Sequence, residues 1–171
     1  MIIEDLLVER QLNGHEARLE MDPLTEEDAL QEAQLLDVRF DALRSTAGIL
    51  FELRTALQLR DSNTGVLVTW GTRELEWSSG DQSPLPRFAW VITASTVERT
   101  HRLLKLRLIG PRPQNELRIL AESAAFFAGD VQGLGRIPDY VSADESTLRS
   151  SLANWTSSFT PARSAFLSSA P

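Results

Sequence analysis

The sequence predicts an α+β domain, with a mainly antiparallel sheet of six or more strands flanked by N-terminal helices and by one helix in the C-terminal region. The clearest observation is residues 36–57, where apolar and charged residues alternate in two runs. A period of two is what a half-buried strand needs, because successive side chains point to opposite faces of a sheet. Small residues at 45–48 separate the runs, so we expect an antiparallel hairpin with one core face and one charged face.

Further alternating runs extend the predicted sheet. The leucines at 104, 106 and 108 are expected to face the core, with Lys105 and Arg107 pointing outward. Two prolines in the stretch 78–86 forbid regular pairing, so it is predicted to be a polar loop. The predicted strands cover residues 66–70, 73–77, 87–99, 101–109, a run through Leu117 that extends towards Phe126 and Phe127, and a last short strand around 159–166.

Helical patterns occur at both ends of the chain. Residues 2–12 place apolar side chains on one stripe, which predicts a short amphipathic helix. Thr25 is expected to cap a helix over 26–34, and Ser142 to begin a capping box for a helix over 143–155. We expect one domain over residues 1–167 and a disordered tail over 168–171.

The charge of the chain is unevenly distributed. The net charge is -7, and the first 35 residues hold ten acids against two arginines. This acidic segment can meet the basic middle of the chain or a basic partner. Phosphate neutralisation requires a basic surplus, so no nucleic-acid partner is expected.

The composition also limits compartment and chemistry. The chain has no cysteine, which excludes disulfides, thiolate metal sites and cysteine nucleophiles. Met1 is followed by acids where a signal peptide needs a basic start, and no apolar run approaches the roughly 20 residues of a membrane span. We therefore expect a cytoplasmic protein without a membrane partner.

Little in the sequence indicates catalysis or metal binding. Of the two histidines, neither His15 nor His101 is brought near a serine and an acid by any pattern, as a serine triad would need. Asp61 begins a run similar to a calcium loop, but Thr72 stands at the twelfth position, where a glutamate is required. We predict a hairpin turn there, no metal site and no cofactor.

The charged face of the hairpin is the first candidate site, for a protein partner. Because Arg39 lies between Asp37 and Asp41, we expect it to pair with them rather than leave them to a cation. Trp77 precedes a polar loop, and exposed tryptophans and arginines are common binding anchors. The candidate partner-binding residues are Asp37, Arg39, Asp41, Glu52, Arg54 and Trp77.

A glycine-rich stretch at 129–135 is the second candidate. It faintly resembles a phosphate loop, but Arg136 and Ile137 stand where such a loop needs Gly-Lys followed by Ser or Thr. A flexible or partner-contacting loop is therefore the favoured interpretation, with ligand binding as the alternative. The candidate ligand-loop residues are Gly129, Asp130, Gly133 and Arg136.

The chain resembles a group of small bacterial proteins with no assigned function. The similar segments are residues 36–57, residues 126–131 and the predicted helix that ends at Trp155. The resemblance implies one stable domain and carries over no catalytic or binding residue. In size, acidity and sheet content, the chain is also similar in type to bacterial toxin-immunity proteins, which is an analogy of class.

These observations predict a non-enzymatic protein-binding domain, of immunity, inhibitor or accessory type. Two alternatives stay open. The chain can be a structural subunit that self-associates by burying an exposed strand edge. It can also be a small-ligand-binding protein or an enzyme that uses the 129–136 loop.

Overall fold

Strands make up most of the regular structure in this computed structural model, which describes residues 1–8, 17–79, 89–112 and 114–169. The two helices are short, α1 (Asp5–Val8) and α2 (Glu145–Ser151), and none in these ranges is long and apolar enough to cross a membrane. The strands are β1 (Ala17–Arg18), β2 (Gln34–Asp41), β3 (Thr46–Glu52), β4 (Thr64–Trp70), β5 (Glu74–Ser78), β6 (Trp90–Val91), β7 (Ala94–Arg99), β8 (Leu104–Ile109), β9 (Glu116–Ala121), β10 (Ser123–Val131) and β11 (Phe159–Ser168).

The strands form two sheets. The first has seven strands in the order β1-β11-β10-β4-β3-β2-β6, and the second has four in the order β5-β9-β8-β7. Within the described ranges, neighbouring strands pair antiparallel except β1 and β11, which are parallel. Along the chain, successive strands change sheet four times: after β4 at Gly71, between β5 and β6, between β6 and β7, and before β10 at Glu122.

One core lies between the two sheets, and we call the side of the seven-stranded sheet that lines it the inner face. Leu104, Leu106 and Leu108 point into this core from β8, as the alternation predicts. From the other sheet, the rings of Phe51 and Phe126 meet at a centroid distance of 6.0 Å. Burial of these apolar side chains is the main stabilising contribution of the core.

A second core covers the opposite, outer face of the same sheet. It lies under α1 and under the cap segment, defined as residues 132–158 between β10 and β11. Gly48 shows how closely they pack, because a Cβ there would stand 2.4 Å from Leu7 and 2.8 Å from Trp155. Every residue of β3 and β4 is buried, which explains their nearly continuous apolar sequences.

The predicted α+β class is therefore wrong, and so is the expectation of flanking helices. Residues 27–32 form successive turns instead of a helix, Gln34 already begins β2, and Asp28 and Glu32 have φ values of 58° and 64°. The backbone there bonds to β7 and to the residues before it: Asp28 N–H donates to Ser95 O, and Glu32 N–H donates to Ile92 O. These bonds replace the ones within a helix, so local capping propensity is overridden by tertiary contacts.

The predicted helix over 143–155 is shorter than its pattern. It begins after Asp144, whose carboxylate accepts from Thr147 N–H at 2.7 Å, while Ser142 Oγ donates to Asp139 instead of capping. Leu152 already has extended backbone angles. Trp155 therefore lies beyond the helix and packs on the sheet.

The strand predictions are largely confirmed, with several corrections. The hairpin of β2 and β3 is present, but its supposedly free side is covered. The predicted strand 87–99 is two strands, β6 and β7, which belong to different sheets. The run through Leu117 likewise ends at Ala121, and Phe126 lies in the other sheet. The strand β11 continues through Ser168, and Ser169 N–H donates to Glu122 O. His15 and most of the predicted loop 78–86 lie outside the described residues.

Candidate functional site

A groove of about 810 Å³ opens between the cap segment and the first residues of β2. It continues around β6 to the edge of the second sheet at Trp77. Its walls are mainly apolar, which is typical of binding sites in proteins. The side chains that give it this character are Leu36, Leu50, Trp77, Trp90, Leu148 and Leu152.

Two indole rings form the mouth of the groove. Trp77 is 44% exposed, and its ring centroid lies 5.1 Å from that of Trp90, with 33° between the planes. Trp77 comes from the edge strand β5, opposite Leu117, whereas Trp90 comes from β6 of the other sheet. Trp90 Nε1 is buried and has no hydrogen-bond partner among the described residues. The paired indole rings therefore present an apolar surface to solvent.

Tyr140, which lines the groove from the cap segment, is held by one hydrogen bond. Its hydroxyl donates to Gln34 Oε1 at 2.5 Å. Burial raises the pKa of Tyr140 to about 12, and the negative charge of Glu52 raises it further, against the opposing effect of Arg54. At neutral pH the phenol therefore stays protonated and acts as a donor.

A buried ion pair fastens the cap segment to the sheet close to Tyr140. Glu52 is 1% exposed and accepts from Arg54 Nε at 2.7 Å and from Arg54 Nη2 at 2.6 Å. Arg54 also donates to Gly135 O at 2.5 Å and to Ser151 O at 2.8 Å. The hydrogen bond to Glu52 raises the pKa of Arg54, so the guanidinium stays charged.

The aspartates and arginine of β2 are also engaged, though not with each other as predicted. Asp37 accepts from Trp155 Nε1 at 2.6 Å, and Arg39 donates to Glu4 at 3.0 Å while lying 5.2 Å over the Trp155 ring. Asp41 pairs with the guanidinium of the turn residue Arg44 at 2.7 Å.

The six predicted partner-binding residues therefore do not form one free charged face. Asp37, Arg39 and Glu52 lie on the outer face, beside or under α1 and the cap segment. Of the six, Asp37 and Trp77 line the groove. The prediction of a free charged face is wrong because it treats the whole outer face as solvated. Only the margin of that face is charged, and its centre carries the buried Leu50 and Val66.

The four ligand-loop residues do not converge on one point. Gly129 and Asp130 belong to β10, where a Cβ on Gly129 would stand 2.2 Å from Thr160 O. Asp130 Oδ1 accepts from Asn63 N–H at 3.0 Å. Gly133 and Arg136 are exposed, and Gly133 has a φ of 77°. The stretch is therefore a strand end with its turn, which Arg54 contacts at the neighbouring residue 135.

Polar groups around the groove take part in hydrogen bonds within the protein. Arg149, on the rim, donates to Glu145 at 3.0 Å, and Asn154 Oδ1 accepts from Thr156 N–H at 3.0 Å. In the part of the chain that the structure describes, no group of three or more histidines and acids is placed to hold a metal ion. The arrangement favours binding of an apolar group by shape.

Sequence reasoning missed most of the groove. Leu148 and Leu152 share one face of the predicted helix over 143–155, and both are only partly buried. Gln34 and Tyr140 are 106 residues apart, so no local pattern could join them. The one available signal was the chain's single tyrosine beside a predicted capping box.

No family model, curated protein or solved structure matches this chain.

Proposed function

We propose that this protein is a non-catalytic protein-binding domain, and that the groove receives an apolar segment of a partner protein. The observation that carries the proposal is the apolar groove with the exposed Trp77 stacked on Trp90 at its mouth. Large aromatic side chains in a preformed pocket lose little conformational entropy on binding, which makes them effective anchors.

The engagement of the nearby polar groups supports binding over catalysis. Asp37, Tyr140 and Arg149 each have a partner within the protein. A general acid or base must instead reach a proton on its substrate. These bonds fix the walls of the groove, and preorganised walls favour affinity.

The charge of the cap segment indicates which partner fits. Asp139 and Asp144 are exposed, and hydrogen bonds from Ser142 and Thr147 lower the pKa values of their carboxyl groups. Both therefore remain ionised at neutral pH, beside the Glu145–Arg149 pair. An apolar segment flanked by basic residues would complement this rim, and a net charge of -7 favours association with a basic protein. A cytoplasmic location is part of the proposal.

The test is retention of a partner from source-cell extract at low salt by the tagged full-length protein and three variants. Trp77→Ala and Leu148→Lys alter the groove. Phe166→Ala is the matched control, because Phe166 is 51% exposed on β11 and does not line the groove. We expect a stoichiometric basic protein to be retained by the unchanged protein and the control, and to be lost from both groove variants.

A direct titration then follows with peptides from the retained protein. Binding should quench or shift the fluorescence of the unchanged protein and be at least about tenfold weaker for Trp77→Ala, the loss of a moderate binding anchor. Equal retention by all variants would rule out the groove as the binding site. Recovery of the protein alone would contradict the protein-binding function and favour a small apolar ligand.

A further inference from the structure

The outer edge of β2 is open along most of its length. On this side of β2, β6 pairs with Gln34 and Leu35 only. Among the described residues, no strand pairs with this side of β2 along residues 36–41. An open edge presents backbone donors and acceptors to any other strand.

Two other sheet edges are partly covered. The strand β11 carries Pro161 at a register shift, and β1 pairs with it at Arg163 and Ser164. The edge of β7 is bonded to Asp28, which donates its N–H to Ser95 O and accepts from Ser95 N–H. The edge of β2 is therefore the one with the least cover among these three.

The ladder determines which groups of β2 point outward. Leu53 N–H donates to Asn63 O, so the odd-numbered residues of β3 face β4 and the even-numbered ones face β2. Leu50 and Gly48 pair with Asp37 and Arg39, so these two bond inward.

Val38 and Phe40 consequently turn their backbone groups to the open edge. The N–H of Val38 donates to Asp37 Oδ1 at 2.8 Å, so it is already occupied. The backbone N–H of Phe40 points to the open edge, where no strand pairs with it among the described residues. The Phe40 side chain is also 52% exposed.

We propose that a second copy of this chain pairs antiparallel with this edge, centred on Phe40. At that centre the two Phe40 residues form a hydrogen-bonded pair, and their rings lie on one side of the joined sheet. Arg39 of each copy then lies opposite Asp41 of the other. Both side chains are partly exposed, and their partners within the chain, Glu4 and Arg44, are exposed as well, so Arg39 and Asp41 can exchange these partners for the two ion pairs between copies.

The alternation of charge selects this register over its neighbour. A two-fold axis at Arg39 would oppose Asp37 of one copy to Asp41 of the other, and like charges directly opposite are destabilising. The axis at Phe40 gives opposite charges twice, because a two-fold interface repeats each contact.

The pairing is short, and the groove stays accessible. Before Val38 the edge leads to β6, and after Asp41 the chain turns towards β3, which leaves about five residues on each copy. So small an interface predicts a weak dimer, with a Kd on the order of 10–100 µM. Phe40 and Arg39 do not line the groove, so this inference is independent of the proposed partner.

The first test is the molar mass of the full chain by sedimentation equilibrium across this concentration range. We expect the mass to rise towards that of a dimer, Phe40→Lys to stay monomeric, and Phe166→Lys, on β11 with similar exposure, to behave like the unchanged protein. A monomer at every concentration, or a dimer broken by Phe166→Lys but not by Phe40→Lys, would overturn the proposal.

The second test addresses the register through charge exchange. Arg39→Glu and Asp41→Arg should each weaken the homodimer at least about tenfold, because each opposes like charges twice. Mixed in equal amounts, the two variants should restore a heterodimer, in which both opposing pairs are again of opposite sign. Circular dichroism must show that both variants are folded, since Asp41 also accepts from Leu43 N–H in the turn. Failure of folded variants to restore a dimer would exclude this register.

Discussion

The two faces of the seven-stranded sheet are buried in different ways. The inner face meets the second sheet through apolar side chains such as Phe51 and Phe126. The outer face has an apolar centre too, but its margin is joined to the cap segment by polar bonds. These include Trp155 to Asp37, Arg54 to Ser151, and Tyr140 to Gln34.

The two faces differ in how strictly their contacts orient the groups that make them. Apolar burial stabilises in proportion to area and tolerates many orientations, whereas a hydrogen bond requires a particular geometry. The inner core holds more buried apolar side chains than the outer core, and the polar margin of the outer face fixes where the cap segment lies. Because that segment forms one wall of the groove, the outer layer determines the shape of the candidate site.

The largest loss of stability is expected from a substitution on the inner face. Phe126→Ala should lower the free energy of unfolding by about 4 kcal/mol, because it removes a fully buried ring and leaves a cavity. Denaturant unfolding would measure it. Phe166→Ala, half exposed on β11, is the control and should cost less than about 1 kcal/mol. Similar losses in the two variants would contradict the importance assigned to the inner core.

On the outer face, Arg54→Ala should cost about 3 kcal/mol, because it leaves the buried carboxylate of Glu52 without its partner. Hydrogen exchange should show lost protection in α2 while β8 keeps its own, since Arg54 holds only the cap segment.

The double variant Glu52→Gln, Arg54→Ala separates the two contributions of this pair. Removal of the unpaired charge should recover about 1 kcal/mol or more of the loss from Arg54→Ala. No recovery, together with equal loss of protection in both sheets, would mean that the pair stabilises the whole fold.

A smaller effect is expected from Asp37→Ala. It leaves the indole N–H of the buried Trp155 without its acceptor, at a cost of about 2 kcal/mol. The control is Asp61→Ala, which removes an exposed pair with Arg163 and should cost less than about 0.5 kcal/mol. Thermal or denaturant unfolding of both variants would distinguish a positioned bond from a surface ion pair.

The finest test leaves the sequence unchanged. Tyr140 is the only tyrosine, so tyrosinate absorbance reports it alone, and it should titrate with a pKa of about 12. An unfolded chain titrates near pH 10. The protonated form of Tyr140 therefore stabilises the fold fully below about pH 10, and this contribution is lost as the pH rises towards about 12. Titration near pH 10, in protein still folded by circular dichroism, would mean that the groove wall is solvated.

Much of the sheet could be predicted from local patterns. The alternation in β8 correctly predicts which leucines face the core, and the two alternating runs of residues 36–57 correctly predict the hairpin of β2 and β3. The predicted break at 45–48 is misplaced, because β3 already begins at Thr46. The helices could not be predicted so well. Thr25 begins a plausible capping box. However, Asp28 donates its backbone N–H to Ser95 O, and its carboxylate accepts from Ser95 N–H, so this segment forms turns instead of a helix.

The candidate site was predictable only in part. Trp77 was identified because it adjoins a polar loop, and it does line the groove. The charges of β2 were identified as one solvated face, because a period of two says which residues share a face and nothing about what covers it. Arg39 and Asp37 instead bond to α1 and the cap segment.

The sequence by itself determined where most of the strands lie, because side-chain alternation is a property of neighbouring residues. Only the tertiary structure decided that β3 and β4 are buried on both sides, and that the cap segment completes a groove with Trp77. The physical reason is the distance along the chain. Trp155 and Asp37 are 118 residues apart, and bonds across such separations depend on the packed core rather than on any local preference.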